Sequence, residues 1–273
     1  MQPPFASQPV SYLFIDGECF GCALEKIGER YFGGVRPVLD WSKVAAGHRK
    51  AFYYDAIPVQ RHEEEDSAYS TRVNPKRLEL ASIERQPSYH VRTGEAHHRR
   101  RRGNEQKMVD VQLAVDALLM ASRGLYAACT LISGDLDFKP LVTALVEMGV
   151  DVHLLYPQGD TNDDLKAAAD RADALTVTHI RNWLSGSFAH TALFPTVGFS
   201  FQSDTKSFPL ILIQWHNDSY GDCFVANDNG VFVLITQRSP QYPSSHRLEL
   251  SSANADTLRA YADDIFGLTV PIW

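Results

Sequence analysis

Four aspartates stand in this chain of 273 residues at places where a carboxylate needs explaining: Asp16, Asp110, Asp135 and Asp137. The last two flank a leucine in "TLISGDLDFKPL", residues 130–141, directly after the short apolar run Thr130-Leu131-Ile132. Such a run reads as a strand buried on both faces of a parallel sheet. Ser133 and Gly134 permit a turn, Asp137 can cap the next helix, Pro140 is tolerated in its first turn, and Gly149 stops it. Ligands of open α/β sheets bind beyond the carboxyl ends of the strands, so the pair lies where chemistry is expected. Taken alone, a helix cap plus a solvated turn aspartate explains it equally well.

Asp110 and Asp16 tip the balance. In the helix expected over residues 106–124, about 100° per residue puts Gln112, Asp116 and Arg123 on one side and Asp110 among Leu113, Ala114, Ala117 and Ala121. Asp116 is therefore expected in solvent and Asp110 on the buried face, where a carboxylate needs a cation, a donor or a metal. Asp16 ends the strand in "SYLFIDGE" and raises the same demand. Gathered together, the four would repel severely without a divalent cation. Oxygen ligands at this density suit magnesium or manganese, which can activate water and clamp a scissile phosphate.

The elements that must bring them together alternate along the chain. Strands are expected at residues 11–18, 50–57, 130–135 and 151–157, and in "LTVTHI" at 175–180. Helices are expected after Gly17 to about Phe32, over 106–124, after Asp137, and in "DDLKAAADRAD". That order predicts an α/β fold with a doubly wound, mostly parallel sheet. From about residue 186 the pattern changes to three strands, "SFPLILIQWH", "DCFVAND" and "GVFVLITQR", with a hairpin signal at Asn229-Gly230 and a closing helix over 253–266. A small α+β appendage at 186–273 is thus expected to follow a domain at 10–185.

"FIDGE", "KMVDVQLAVDAL", "TLISGDLDFKPLVTALVEMGVDVHLL" and "LKAAADRADAL", in that order over roughly residues 10–182, resemble the successive motifs of the NYN domain, a PIN-like nuclease domain. The resemblance implies a PIN-like fold and metal-dependent cleavage of RNA. It carries Asp16, Asp110, Asp135 and Asp137 over as catalytic and metal-binding residues, with Asp170 as a further ligand. Many family members have asparagine where this chain has Cys19. The expectation is an endoribonuclease for single-stranded or loop RNA using Mg2+ or Mn2+. DNA cleavage and a non-catalytic RNA-binding scaffold are the alternatives.

The rest of the sequence narrows the class. A hydrophobic content of 44% is ample for a core, and the net charge of -7 excludes a uniformly basic nucleic-acid binder. A local basic run, "HHRRRRG" at 97–103, could hold phosphate through Arg99, Arg100, Arg101 and Arg102, with Lys107 beside it. No membrane-spanning run or leader pattern is visible, so a cytoplasmic protein without a membrane partner is expected. Cys19-Phe20-Gly21-Cys22 has redox spacing, but two half-buried thiols explain it better. His153 in an apolar strand reads as a satisfied core histidine. The apolar strands of the appendage suggest self-association into a homo-oligomer or substrate selection.

Overall fold

The computed structural model describes residues 9–94, 107–159, 161–189, 194–203, 207–208 and 210–273. These residues fall into two compact units: those up to Leu24 with 38–185, and 25–37 with 186–273. The stretch 25–37, which the sequence reading places in the first domain, thus groups with the second unit.

The chain enters the first unit through β1 (Ser11–Asp16), an apolar strand buried along nearly its whole length, and turns directly into α1 (Gly17–Tyr31). After α2 (Trp41–Val44) come β2 (Lys50–Ala56), α3 (Asp66–Glu84) and β3 (Tyr89–Gly94). Then follow α4 (Lys107–Ser122), β4 (Ala128–Ile132), a 3-10 turn (Leu136–Phe138), α5 (Lys139–Glu147) and β5 (Asp151–Pro157). The unit closes with α6 (Asp163–Ala168), β6 (Arg171–Leu175) and α7 (Val177–Trp183).

All six strands are parallel, in the order β3-β2-β1-β4-β5-β6. The α/β, doubly wound sheet expected from the alternation is present. The chain winds outward from β1 to β3 and then returns to β4 on the other side of β1. That reversal opens a crevice between the carboxyl ends of β1 and β4, the place where open sheets bind ligands. One face of the sheet, with Tyr12, Phe14, Phe52, Tyr54, Leu131 and Leu154, is buried in a core with Leu113 and Ala117 of α4 and Leu141 and Leu145 of α5.

Two local expectations are corrected, and one helix is added. The added helix is α3, whose buried residues Val73, Leu80 and Ile83 are too sparse to show a stripe and which carries Pro75 inside it. The helix expected in "DDLKAAADRAD" ends at Ala168, and Arg171–Leu175 becomes β6, paired in parallel with β5. "LTVTHI" is not a strand beyond Leu175, because Thr176 starts α7 through a capping box with His179.

The second unit has α8 (Gly186–Ala189), β7 (Thr196–Phe201), β8 (Leu210–Asn217), β9 (Gly221–Asp228), β10 (Val231–Thr236), β11 (His246–Ser252) and α9 (Ala255–Phe266). Its antiparallel sheet has five strands rather than three, in the order β7-β11-β10-β9-β8. The missed strands, "TVGFSF" and "HRLELSS", are interrupted by glycine and serine and carry little apolar signal. Asn229 and Gly230 both have positive φ, 52° and 88°, as the expected hairpin turn requires. The carboxyl-terminal half of α1 belongs here. Arg30 makes a two-pronged contact with Asp264 of α9, Nε and Nη2 each at 2.7 Å, and the Tyr31 hydroxyl donates to the same carboxylate. Phe32 meets the rings of Phe188 and Phe194 edge-on, with centroids 5.4 Å apart in both pairs.

Candidate active site

Two turns meet at the crevice, one leaving β1 and one leaving β4. Asp16 ends β1 with its carboxylate buried, and it accepts from the Ser133 hydroxyl at 2.8 Å and from the Cys19 N–H at 3.2 Å. Ser133, fully buried, accepts in turn from the Asp135 N–H at 3.1 Å. A second tie runs beside the first: the Gly134 N–H donates to the Cys19 sulfur at 3.1 Å. Asp135 caps the 3-10 turn by accepting from the Asp137 N–H at 3.0 Å, so Asp135, rather than Asp137, is the capping residue. The two turns are therefore tied to each other through Ser133 and Gly134, and Asp16 takes its position from that tie.

Close approach of backbone explains the glycines. A Cβ on Gly17 would lie 2.5 Å from Asp55 Oδ2 and 2.7 Å from the Tyr54 carbonyl oxygen. On Gly134 it would lie 2.8 Å from Thr161 Oγ1 and 3.1 Å from Pro157 Cδ. Only hydrogen fits at either place, which lets β2 crowd the first turn and the β5–α6 loop crowd the second.

The electrostatics show how concentrated the negative charge is. Burial pushes Asp16 up to about 6, against the pull of its Ser133 and Cys19 hydrogen bonds, and Asp110 and Asp135 add to the rise. Asp110, half-buried in the first turn of α4, is raised by burial and then by Asp135, Glu18 and Asp137. Glu18 is raised by burial, Asp16 and Asp55, with Lys76 opposing. Asp16, Glu18, Asp110 and Asp135 thus feel one another's charge, and Asp137 acts on Asp110. Among the described residues, however, no three His, Cys, Asp or Glu side chains converge closely enough to hold a metal ion as they stand. By type the group fits a hard divalent cation, since its donors are carboxylate oxygens. Burial, then Asp16, pushes the Cys19 thiol up to about 11.

The remaining expected site residues fare differently. Asp170 is not brought to the crevice. Its carboxylate accepts from the Val152 N–H at 2.8 Å, at the amino ends of β5 and β6. That is four register steps, about 13 Å, from the level of Asp16. It serves there to end the turn before β6. Asp116 is not in free solvent as projected: it accepts from the Tyr54 hydroxyl at 3.2 Å and lies 3.7 Å from Arg92 Nε, because that side of α4 faces the ends of β2 and β3. Arg99, Arg100, Arg101 and Arg102 lie outside the described residues, as does the Lys107 side chain. The points where that segment leaves and rejoins the fold are nevertheless close, since a Cβ on Gly94 would strike the Val109 side chain, one residue before Asp110. His153 is satisfied as expected, by Asp173 at 2.9 Å and Arg171 at 2.8 Å. All four cysteines are free thiols, with Cys19 half-buried and Cys22 exposed. Ser133 carries only the local signal of a turn former, and Asp55 and Lys76 carry none, because their partners are too distant in the chain to be read locally.

The model of the NYN domain matches residues 39–175, half of this chain. The chain belongs to the NYN domain family. The NYN domain is PIN-like and of the nuclease type, and its match here takes in Asp110, Asp135 and Asp137 while beginning after β1 and Asp16. A solved structure of a protein of unknown function from Vibrio parahaemolyticus is similar over 66% of this chain and 100% of that one, at 19% identity and a TM-score of 0.46. No curated protein matches. Among the described residues of this NYN protein, no helix is long and apolar enough to cross a membrane.

Proposed function

We propose that this chain is a metal-dependent endoribonuclease that cuts single-stranded or loop RNA, acting in the cytoplasm. The observation that supports the proposal is that Asp16 at the end of β1 and Asp110 in the first turn of α4 are each raised in part by the charge of Asp135 in the turn after β4, beside the reversal point of a parallel sheet. Membership in a nuclease-type family supports it. In this reading the four aspartates hold magnesium or manganese, which when bound supplies Lewis acidity and neutralises charge on the phosphate. Asp16 is presented in a fixed orientation by Ser133 and Cys19, and Asp135 by the Ser133 hydroxyl on its N–H. The positively charged segment that rejoins the fold beside Asp110, with Arg99 to Arg102 and Lys107, attracts the phosphate backbone toward these carboxylates.

The absence of a converged set of three ligands among the described residues favours one competing reading, an RNA-binding module that does not cut. Incubating the purified protein with labelled RNA and labelled DNA, with manganese or with chelator, separates the two. Cleavage of RNA that needs the metal and disappears in Asp135→Asn is the expected result. Binding without cleavage under every condition would establish the competing reading instead, and preferential cutting of DNA would change the substrate.

A further inference from the structure

A polyanion cannot approach five carboxylates without cations along its path, and one stands on the β2 side of the crevice. Asp55 is the second-last residue of β2 and lies one position beyond Tyr54, the register partner of Asp16. Its side chain is 4% exposed; Oδ1 accepts from the Ala56 N–H at 2.8 Å, and Oδ2 is ion-paired with Lys76 of α3. Because the same Oδ2 lies 2.5 Å from where a Gly17 Cβ would be, the Lys76 ammonium stands against the Asp16–Gly17–Glu18 turn. Its charge reaches Glu18, where it opposes Asp16 and Asp55.

Neutralising Asp55 takes up only part of what Lys76 offers. An ammonium has three donors. Glu79 Oε2, the other carboxylate near it, is 3.7 Å away, too far for a hydrogen bond. The Lys76 side chain is also 25% exposed, whereas Asp55 beneath it is sealed from water. The cation therefore stands between a buried anion and solvent.

We propose that Lys76 contacts a backbone phosphate of the substrate strand on the β2 side of the acidic crevice, anchored from below by Asp55. This rests on the nuclease reading for the identity of the ligand, single-stranded RNA. It assigns a phosphate-binding role to a residue outside the acidic set and a positioning role to Asp55. On this geometry the strand runs across the carboxyl ends of the sheet from β4 toward β2, with the acidic cluster between.

The test measures binding of a short fluorescein-labelled single-stranded RNA by anisotropy, in manganese, on an Asp135→Asn background that prevents cutting. Asp55→Asn with Lys76→Gln removes both charges and leaves none buried alone. Its Kd should rise about tenfold, and the slope of log Kd against log salt should fall by about 0.7, the value of one phosphate contact on a single strand. Asp55→Asn alone should keep the slope, since the ammonium remains. A folded double variant with unchanged Kd and slope overturns the proposal. If the double variant does not fold, acylation of lysines in the protein with Asp135→Asn as its sole substitution gives a second measure: RNA should protect Lys76, and equal labelling with and without RNA overturns the proposal. RNA that binds in a Lys76-dependent way without ever being cut by the wild type would sustain this inference while removing the nuclease reading, so the two fail separately.

Discussion

Asp16 is a buried carboxylate that accepts two hydrogen bonds and is still pushed up to about 6. A carboxyl raised in the folded state binds its proton more tightly there than in the unfolded chain. Its effect on stability is therefore neutral below the ordinary 3.8 and becomes a loss as pH rises from there through about 6. The gap corresponds to about 3 kcal/mol once Asp16 is ionised. Asp110 and Glu18, also raised, act in the same direction. In chelator, the melting temperature of wild type should thus fall relative to Asp16→Asn across that interval, and manganese should close the difference at neutral pH. A difference between the two proteins that does not change with pH would sink the idea. The carboxylates themselves were legible in the sequence because a strand end and a helical projection mark them. Ser133 was not: its partner Asp16 is 117 residues away, and a serine before a glycine looks like an ordinary turn.

At the scale of elements, the two turns depend on missing side chains as much as on present ones. Gly17→Ala would place a Cβ 2.7 Å from the Tyr54 carbonyl, a backbone atom that cannot swing aside. We expect a loss of about 1–3 kcal/mol, as for other overpacked sites, together with weaker cleavage because the Asp16 to Cys19 turn shifts. Gly186→Ala is the control, since a Cβ there meets nothing within 4 Å. Urea denaturation of both variants beside wild type decides the point, and equal midpoints would show that β2 gives way. The parallel sheet was legible from the alternation of strands and helices, whereas the region from Asp163 to Trp183 was not. Its alanine run favours helix locally, but the pairing of Arg171–Leu175 with β5 and the Thr176 cap decide otherwise, and both depend on the assembled sheet.

On the scale of the whole molecule, the net charge of -7 makes nucleic-acid binding a local affair of a few basic groups. Replacing Arg99 to Arg102 with alanine should weaken RNA binding and lower its salt slope by about 0.7 for each phosphate no longer engaged, without affecting the pH-dependent stability set by Asp16. An unchanged slope would make the run an ordinary loop. The second unit invites a different experiment. A chain ending at residue 185 would lack Asp264, Phe188 and Phe194, the partners of Arg30, Tyr31 and Phe32. The far half of α1 should then fray, and trypsin should cut after Lys26 and Arg30 in the fragment much faster than in the full chain. Equal rates would show that α1 holds without those partners. The sequence marked the change near residue 186 through composition, but it could not show that 25–37 belong with the second unit, because their partners lie more than 150 residues further along the chain.

That interleaving bears on how such a gene can change. The second unit is not a terminal cassette: part of it is encoded within the first, on the same helix that carries Gly17, Glu18 and Cys19 at its start. A single crossover near codon 186 would transfer the five-stranded sheet and α9 without Arg30 and Tyr31. The recipient would then inherit Asp264 with neither of its partners. Exchange of the second unit between genes therefore requires two coordinated events or compensating changes in α1, so the two units are expected to be inherited together.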